Sequence, residues 1–186
     1  MSGPRRWTVL ETEFLQDCAV FSVSRTLAES PRTGRRHPFF RIDSSDWVNI
    51  IPITPEGDYV MVRQYRHGLD GLTVEIPGGM VDPGESPAAA AGRELLEETG
   101  FRADEIVPLG TTNPNPALFG NTLHVFLGRG ARRVAPVRNE STEETHVEVV
   151  SQGELRRLVR AGAVNHALVI AALYLLDLEC RGDAHV

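Results

Sequence analysis

Between Arg93 and Glu98 the chain reads RELLEE, and three of those six residues are carboxylates. On a helix, at ~100° per residue, Glu94, Glu97 and Glu98 fall within one arc of ~100°. Leu95 and Leu96, with Ala88, Ala89 and Gly92 before them, are expected on the opposite side, where small apolar residues can pack on a sheet. Arg93 precedes Glu97 by four residues, close enough to pair with it and orient it. Three carboxylates crowded on one face repel one another unless a cation neutralises them. Hard divalent cations take oxygen ligands, and Mg²⁺ binds a few carboxylates while keeping waters and substrate phosphates in its shell. The chemistry such a face offers is metal-assisted attack of water on a phosphate.

Glutamate-rich helix faces are common and usually only solvated, so the flanks must decide. Ser86-Pro87 reads as an N-cap followed by proline at the first helical position, and Gly100 stops the helix. Gly78-Gly79 permit a tight loop whose carbonyls can turn toward the helix, and Glu85 sits just before it. Elsewhere, strands are expected over 20–26, 39–42, 47–53, 59–66, 72–76, 122–127 and 147–150, where β-branched and aromatic residues cluster. Thr54 to Asp58 has turn chemistry and predicts a hairpin between the fourth-listed run and its predecessor. A helix with a Ser151/Glu154 capping box should end near Gly162, and another should run from Asn165 to Leu178, largely buried. Strands first, one helix in the middle and two at the end predict a mixed α/β domain with its sheet between helices.

Residues 79–101, GMVDPGESPAAAAGRELLEETGF, resemble the Nudix box, written G-x5-E-x7-R-E-U-x-E-E-x-G-U with U an apolar residue. Gly79, Glu85, Arg93, Glu94, Leu95, Glu97, Glu98, Gly100 and Phe101 occupy every fixed position. The resemblance implies an α+β fold, a Nudix-type α/β/α sandwich with a mixed β-sheet and an N-terminal β-strand arm. It further implies that Glu94, Glu97 and Glu98 ligate Mg²⁺ or Mn²⁺, with the carbonyl of Gly78 as a further ligand and Arg93 and Glu85 in support.

The flanks resemble the ADP-ribose and nucleoside-diphosphate-sugar pyrophosphatases of that family. They are VRQYRH at 62–67, VEIPGG at 74–79 and the Asn113-Pro-Asn-Pro-Ala117 run, which puts Pro116 fifteen residues after Phe101. On a strand, Arg66 shares a face with Gln64 while Arg63 points the other way. Resemblance favours Arg66 as the diphosphate clamp, with Glu75 as its structural partner; for Arg63 a surface role is equally expected. Asn121 and Pro116 are assigned to substrate binding on the same resemblance. Trp47 could stack on a nucleobase, although a core or interface aromatic is the commoner reading. The catalytic base is expected in the acidic loop 139–145, where Glu143 aligns best and Glu140 and Glu144 stay open. Glu144 also completes a Ser141-x-x-Glu capping box.

The bulk of the chain agrees with a small-molecule enzyme. With 25 acidic and 19 basic residues the net charge is −6, which disfavours nucleic acid or an anionic membrane as partner. Every basic residue is arginine, so a phosphate clamp must be one too. Cys18 and Cys180 are far apart and expected to be buried thiols. No signal peptide or membrane span is read, so a cytoplasmic protein is expected. Residues 1–45 are expected to form the β arm, a dimerising element in the family, and 46–186 the catalytic domain of a homodimer. The rival readings are another Nudix pyrophosphatase acting on a nucleoside triphosphate, dinucleotide or CoA, a sensor that binds ADP-ribose without cutting it, and an isomerase on the same fold. The intact box argues against the last two.

Overall fold

The computed structural model describes residues 3–139 and 144–182. Two compact units emerge from its contacts. The first holds the described residues up to Ser45 together with Asn113–Asn121; the second holds Asp46–Thr112 and the described residues from Thr122 onward.

In the first unit, β1 (Thr8–Asp17), β2 (Ser22–Glu29) and β3 (Arg36–Asp43) form an antiparallel sheet in that order. The segment Asn113–Asn121 joins it through a bridge between Ile42 and Phe119. The sequence carries no strand expectation for Thr8–Asp17, and every residue of β1 is exposed. Cys18 follows β1 and is exposed, as is Cys180, so the expectation of two buried thiols fails. The first sits in a hairpin turn and the second near the end of the last helix, neither packed against a core.

The second unit contains a seven-stranded mixed sheet. Its elements begin with β4 (Trp47–Ile53), β5 (Tyr59–Arg66), β6 (Gly71–Glu75) and β7 (Gly78–Met80), followed by helix α1 (Pro87–Thr99). There follow β8 (Phe101–Arg102), β9 (Glu105–Thr112), β10 (Leu123–Arg129), β11 (Arg132–Arg133) and β12 (Thr145–Val150), then α2 (Gln152–Arg160) and α3 (Ala167–Gly182). Strand order is β12-β5-β4-β10-β9, with β6 on β5 and β7 on β4. Only β10 and β4 run parallel; the other pairings are antiparallel. β8 and β11 make a separate two-stranded ribbon.

Period-2 alternation along the central strands sorts their side chains to two faces. Val48 and Ile50 of β4, Val60 of β5 and Phe126 of β10 meet Ala90, Ala91 and Leu95 of α1. Ile51, Met61, Val125 and Leu127, one residue out of phase, meet Leu155 and Leu158 of α2 and Val169, Ala172 and Leu176 of α3. Helices thus cover both faces, and the α/β/α sandwich expected from the sequence is what the chain forms. α3 is less buried than expected: Val169, Ala172 and Leu176 make one inward stripe, while Ile170, Tyr174 and Leu178 are exposed. An apolar run on a helix at the outside of a sandwich needs only one stripe for packing. No helix among the described residues is long and apolar enough to cross a membrane.

Candidate active site on the first helix

The ends of α1 form as their residues dictate. Ser86 Oγ accepts from the backbone N–H of Ala89 at 3.2 Å, Pro87 takes the first turn, and Gly100 closes the helix at φ 73° with its N–H on Leu96 O. The left-handed φ needs glycine, and a Cβ there would overlap Ala135 O.

The face α1 buries matches the expected one at Leu95 but not at Ala88 and Ala89. Its buried residues are Ala90, Ala91, Leu95, Glu98 and Thr99, while Ala88 and Ala89 are exposed. Ala90 and Ala91 lie one turn before Glu94 and share its side of the helix. The carboxylate arc therefore overlaps the packed face instead of opposing it. Glu98 is 5% exposed, the Glu94 side chain 13% and that of Glu97 38%, a gradient from interior to solvent. Solvated glutamates would not be ordered in this way; these are held.

Two devices hold them. The first is β7, which pairs with β4 through Asn49↔Gly78, Val48↔Gly79 and Trp47↔Met80 and runs beside α1. Gly78 N–H donates to Glu98 Oε2 at 3.0 Å. A Cβ on Gly78 would overlap Val48 O, so glycine is required there by close approach of backbone, and one on Gly79 would displace the Glu94 carboxylate. The second device is Arg93. Its Nε and Nη2 donate to Glu85 at 3.2 and 3.1 Å, its Nη1 to Glu94 and Glu97 at 2.9 and 3.1 Å, and Nη2 also to Met80 O at 2.9 Å. The hydrogen bond from Arg93 pulls the Glu85 carboxyl below its ordinary range, and Glu85 in turn raises the guanidinium.

Three carboxylates (Glu85, Glu94, Glu97) thus share the Arg93 guanidinium, and Glu98 lies beside them with its Oε2 on Gly78 N–H. Among the described residues no group of three or more acidic, His or Cys side chains is already gathered around one metal position. The glutamates instead form an open, oxygen-only row. That donor set fits a hard divalent ion which completes its shell with water and substrate oxygens.

The described residues on either side of 140–143 are tied to the same helix. Arg138 N–H donates to Glu97 O at 2.8 Å, and Thr145 Oγ1 donates to Glu98 O at 2.9 Å and lies 2.8 Å from Asn139 Oδ1. Both flanks of residues 140–144 are therefore tied to the end of α1 that carries the carboxylates. Glu144 is exposed ahead of β12; Glu140 and Glu143 lie outside the described residues.

Arg66 and Glu75 pair as expected, through two hydrogen bonds of 2.9 and 2.8 Å. Glu75 is 2% exposed, Thr73 Oγ1 donates to it at 2.6 Å, and His166 Nδ1 lies 3.1 Å away, near but outside hydrogen-bond alignment. Burial alone would raise the Glu75 carboxyl; Arg66, His166 and Thr73 outweigh it and hold the group well below the carboxylate range. Arg63 points to the other neighbour strand and bonds Glu148 of β12 at 2.6 Å. Of the remaining residues, Trp47 packs against the core. Pro116 is exposed in a turn of the first unit, and Asn121 is buried there, donating to Ser45 O at 3.0 Å. Sequence reasoning missed Thr73, Arg138, Thr145 and His166. Thr73, two residues before Glu75 on the same strand face, was the one it could have found.

A three-layer sandwich whose helix presents an Arg-organised row of glutamates beside a glycine strand defines a hydrolase class. The chain belongs to the NUDIX domain family, which matches residues 46–173, and is a pyrophosphohydrolase of the divalent-metal-using kind. It is 34% identical over 134 residues to the ADP-ribose pyrophosphatase of Bacillus subtilis (strain 168), covering 71% of this chain and 72% of that protein. To the ADP-sugar pyrophosphatase of Mus musculus it is 33% identical over 149 residues, 74% of this chain and 68% of the relative. A solved ADP compounds hydrolase superposes with a TM-score of 0.86 over 100% of both chains; at 23% identity that likeness speaks for the fold.

Proposed function

We propose that the enzyme hydrolyses the diphosphate of ADP-ribose or a nucleoside-diphosphate sugar, with Mg²⁺ as cofactor and Mn²⁺ as substitute. Water adds to one phosphorus, the bridging P–O bond breaks, and the products are a nucleoside monophosphate and a sugar phosphate. The observation that carries the reading is the held row of Glu94, Glu97 and Glu98 on α1. Relatives bearing ADP-ribose and ADP-sugar names supply the substrate class.

Glu94, Glu97, Glu98 and the carbonyl of Gly78 would hold the metal, which when bound shields phosphate charge and acidifies water. Arg93 orients the row and Glu85 fixes Arg93, a role supporting groups commonly have at metal sites. Arg66, locked by Glu75, grips the diphosphate in a bidentate manner. Glu143 takes the proton of the attacking water, with Glu140 and Glu144 as its competitors in the same acidic stretch. Trp47 bounds the rest of the substrate on the second unit, and Arg63 acts through its pair with Glu148.

A panel assay tests this reading: ADP-ribose, several NDP-sugars, NADH, dinucleoside polyphosphates, CoA and the nucleoside triphosphates, each with Mg²⁺ and with chelator. Chelator-sensitive release of a nucleoside monophosphate from ADP-ribose or an NDP-sugar is the expected result. Turnover of triphosphates alone, or ADP-ribose binding without any cleavage, would overturn it.

The enzyme works as a cytoplasmic homodimer in this reading, with no nucleic-acid or membrane partner. Support comes from the first unit, where Val9, Phe14, Phe39 and Phe40 are exposed on a three-stranded sheet. Light scattering should give twice the 20.5 kDa of one chain; a monomer mass at micromolar concentration would remove the dimer.

A further inference from the structure

The first unit contains a cavity of about 380 Å³ that the box chemistry does not use. That volume lies within the range of small-ligand pockets. Arg5, Arg32 and Arg35 line it, together with Pro31 and the rings of Trp7 and His37. No carboxylate is among the lining residues. Among the described residues none of the three arginines is in an ion pair, and the adjacent Glu29 is engaged by Arg36 at 3.4 Å. Three cations sharing one hollow in a chain of net charge −6 call for an anion.

The walls are built, not incidental. Ser30 is buried, and its Oγ accepts from the backbone N–H groups of Arg32 and Thr33 at 3.3 and 3.4 Å. Its N–H donates to Arg35 O and its carbonyl accepts from Gly34 N–H, both at 2.9 Å. Gly34 at φ 67° completes the turn. The Arg32-to-Arg35 hairpin end is therefore closed on itself, with Arg32 and Arg35 both exposed. Arg5 reaches across from the N-terminal segment to bond Pro31 O. Trp7 meets His37 and Phe39 edge-to-face at 5.8 and 5.2 Å, which fixes the indole while leaving it 39% exposed.

Guanidinium groups select phosphate by its oxygen geometry, and an exposed aromatic face beside them selects a planar ring. We infer that this cavity is a second ligand site, which binds a mononucleotide-sized phosphate ester with its phosphate on Arg32 and Arg35 and its base against Trp7. The inference rests on the first unit alone and stands or falls apart from the proposed substrate of the box.

The chain has two tryptophans, so its two indole N–H resonances can be assigned with Trp7→Phe and Trp47→Phe variants. AMP, ribose 5-phosphate and inorganic phosphate are titrated into the full chain with chelator present. AMP should move the Trp7 resonance saturably. The R32S/R35S double variant should bind it about 100-fold more weakly, about tenfold for each charge-assisted contact removed. Unperturbed indole positions and thermal midpoint before titration establish that the variant is folded; if they move, the single variants carry the comparison. A Trp7 resonance that AMP leaves in place overturns the site. So does equal affinity in the double variant, and so does inorganic phosphate or ribose 5-phosphate binding as tightly as AMP.

Discussion

Glu98→Gln is expected to lower metal-supported turnover by on the order of 10²–10³-fold, the scale for removing one pre-organised electrostatic group. Glu98 is the most enclosed of the three glutamates and its Oε2 accepts from Gly78 N–H at 3.0 Å. Glutamine keeps a carbonyl oxygen for that bond, so β7 and α1 stay in register and the fold survives. What is lost is a negative charge in a place where water cannot replace it. The half-saturating Mg²⁺ concentration should therefore rise along with the fall in kcat, and far-UV dichroism should not change. Glu143→Gln makes the contrast: it should cut kcat with the Mg²⁺ requirement unmoved. A Glu98→Gln enzyme with full activity at low Mg²⁺ would remove the metal role from this residue.

The sequence reading succeeded where the signal is local. Capping residues and β-branched runs act within one turn or one strand, and so β4, β5 and the limits of α1 coincide with their expected spans. The four-residue spacing placed Arg93 against Glu97 for the same reason, whereas its bonds to Glu85 were not foreseen. β7 and β9 escaped because their partners supply the reason they are strands. Gly78–Met80 has no strand propensity and pairs only because β4 presents an open edge to it. The facing of α1 failed on a subtler point. A helical wheel gives the angle between Glu98 and Leu95 but not which sector meets the sheet, and small Ala90 and Ala91 let α1 roll until the glutamates reach the interior. Contacts of long reach, such as His166 with Glu75 or Thr145 with Glu98, depend on how whole elements dock.

Glu75→Gln should destabilise the protein by about 1.5–3 kcal/mol at neutral pH, the worth of hydrogen bonds to a charged group. For a chain of this length, that corresponds to about 2–4 °C in the thermal midpoint per kcal/mol. Glu75 is enclosed by Arg66, Thr73 and His166, and its charge is what organises them. Their grip holds its folded-state carboxyl well below the usual range, and that fixes the sign of the pH effect. Above the ordinary glutamate value, about 4.3 in an unfolded chain, the group is charged in both states and the contribution is fully present. As pH falls below that value the unfolded chain takes up its proton first, and the contribution drains away toward the depressed folded value. The stability gap between wild type and Glu75→Gln should thus be constant from pH 7 to about 5 and shrink below it, measured by urea unfolding at each pH. A gap that persists undiminished at pH 3 would mean the carboxylate contributes packing and not charge. At pH 7 the variant should also show a raised KM, since Arg66 then keeps its charge but loses the bidentate partner that aims it.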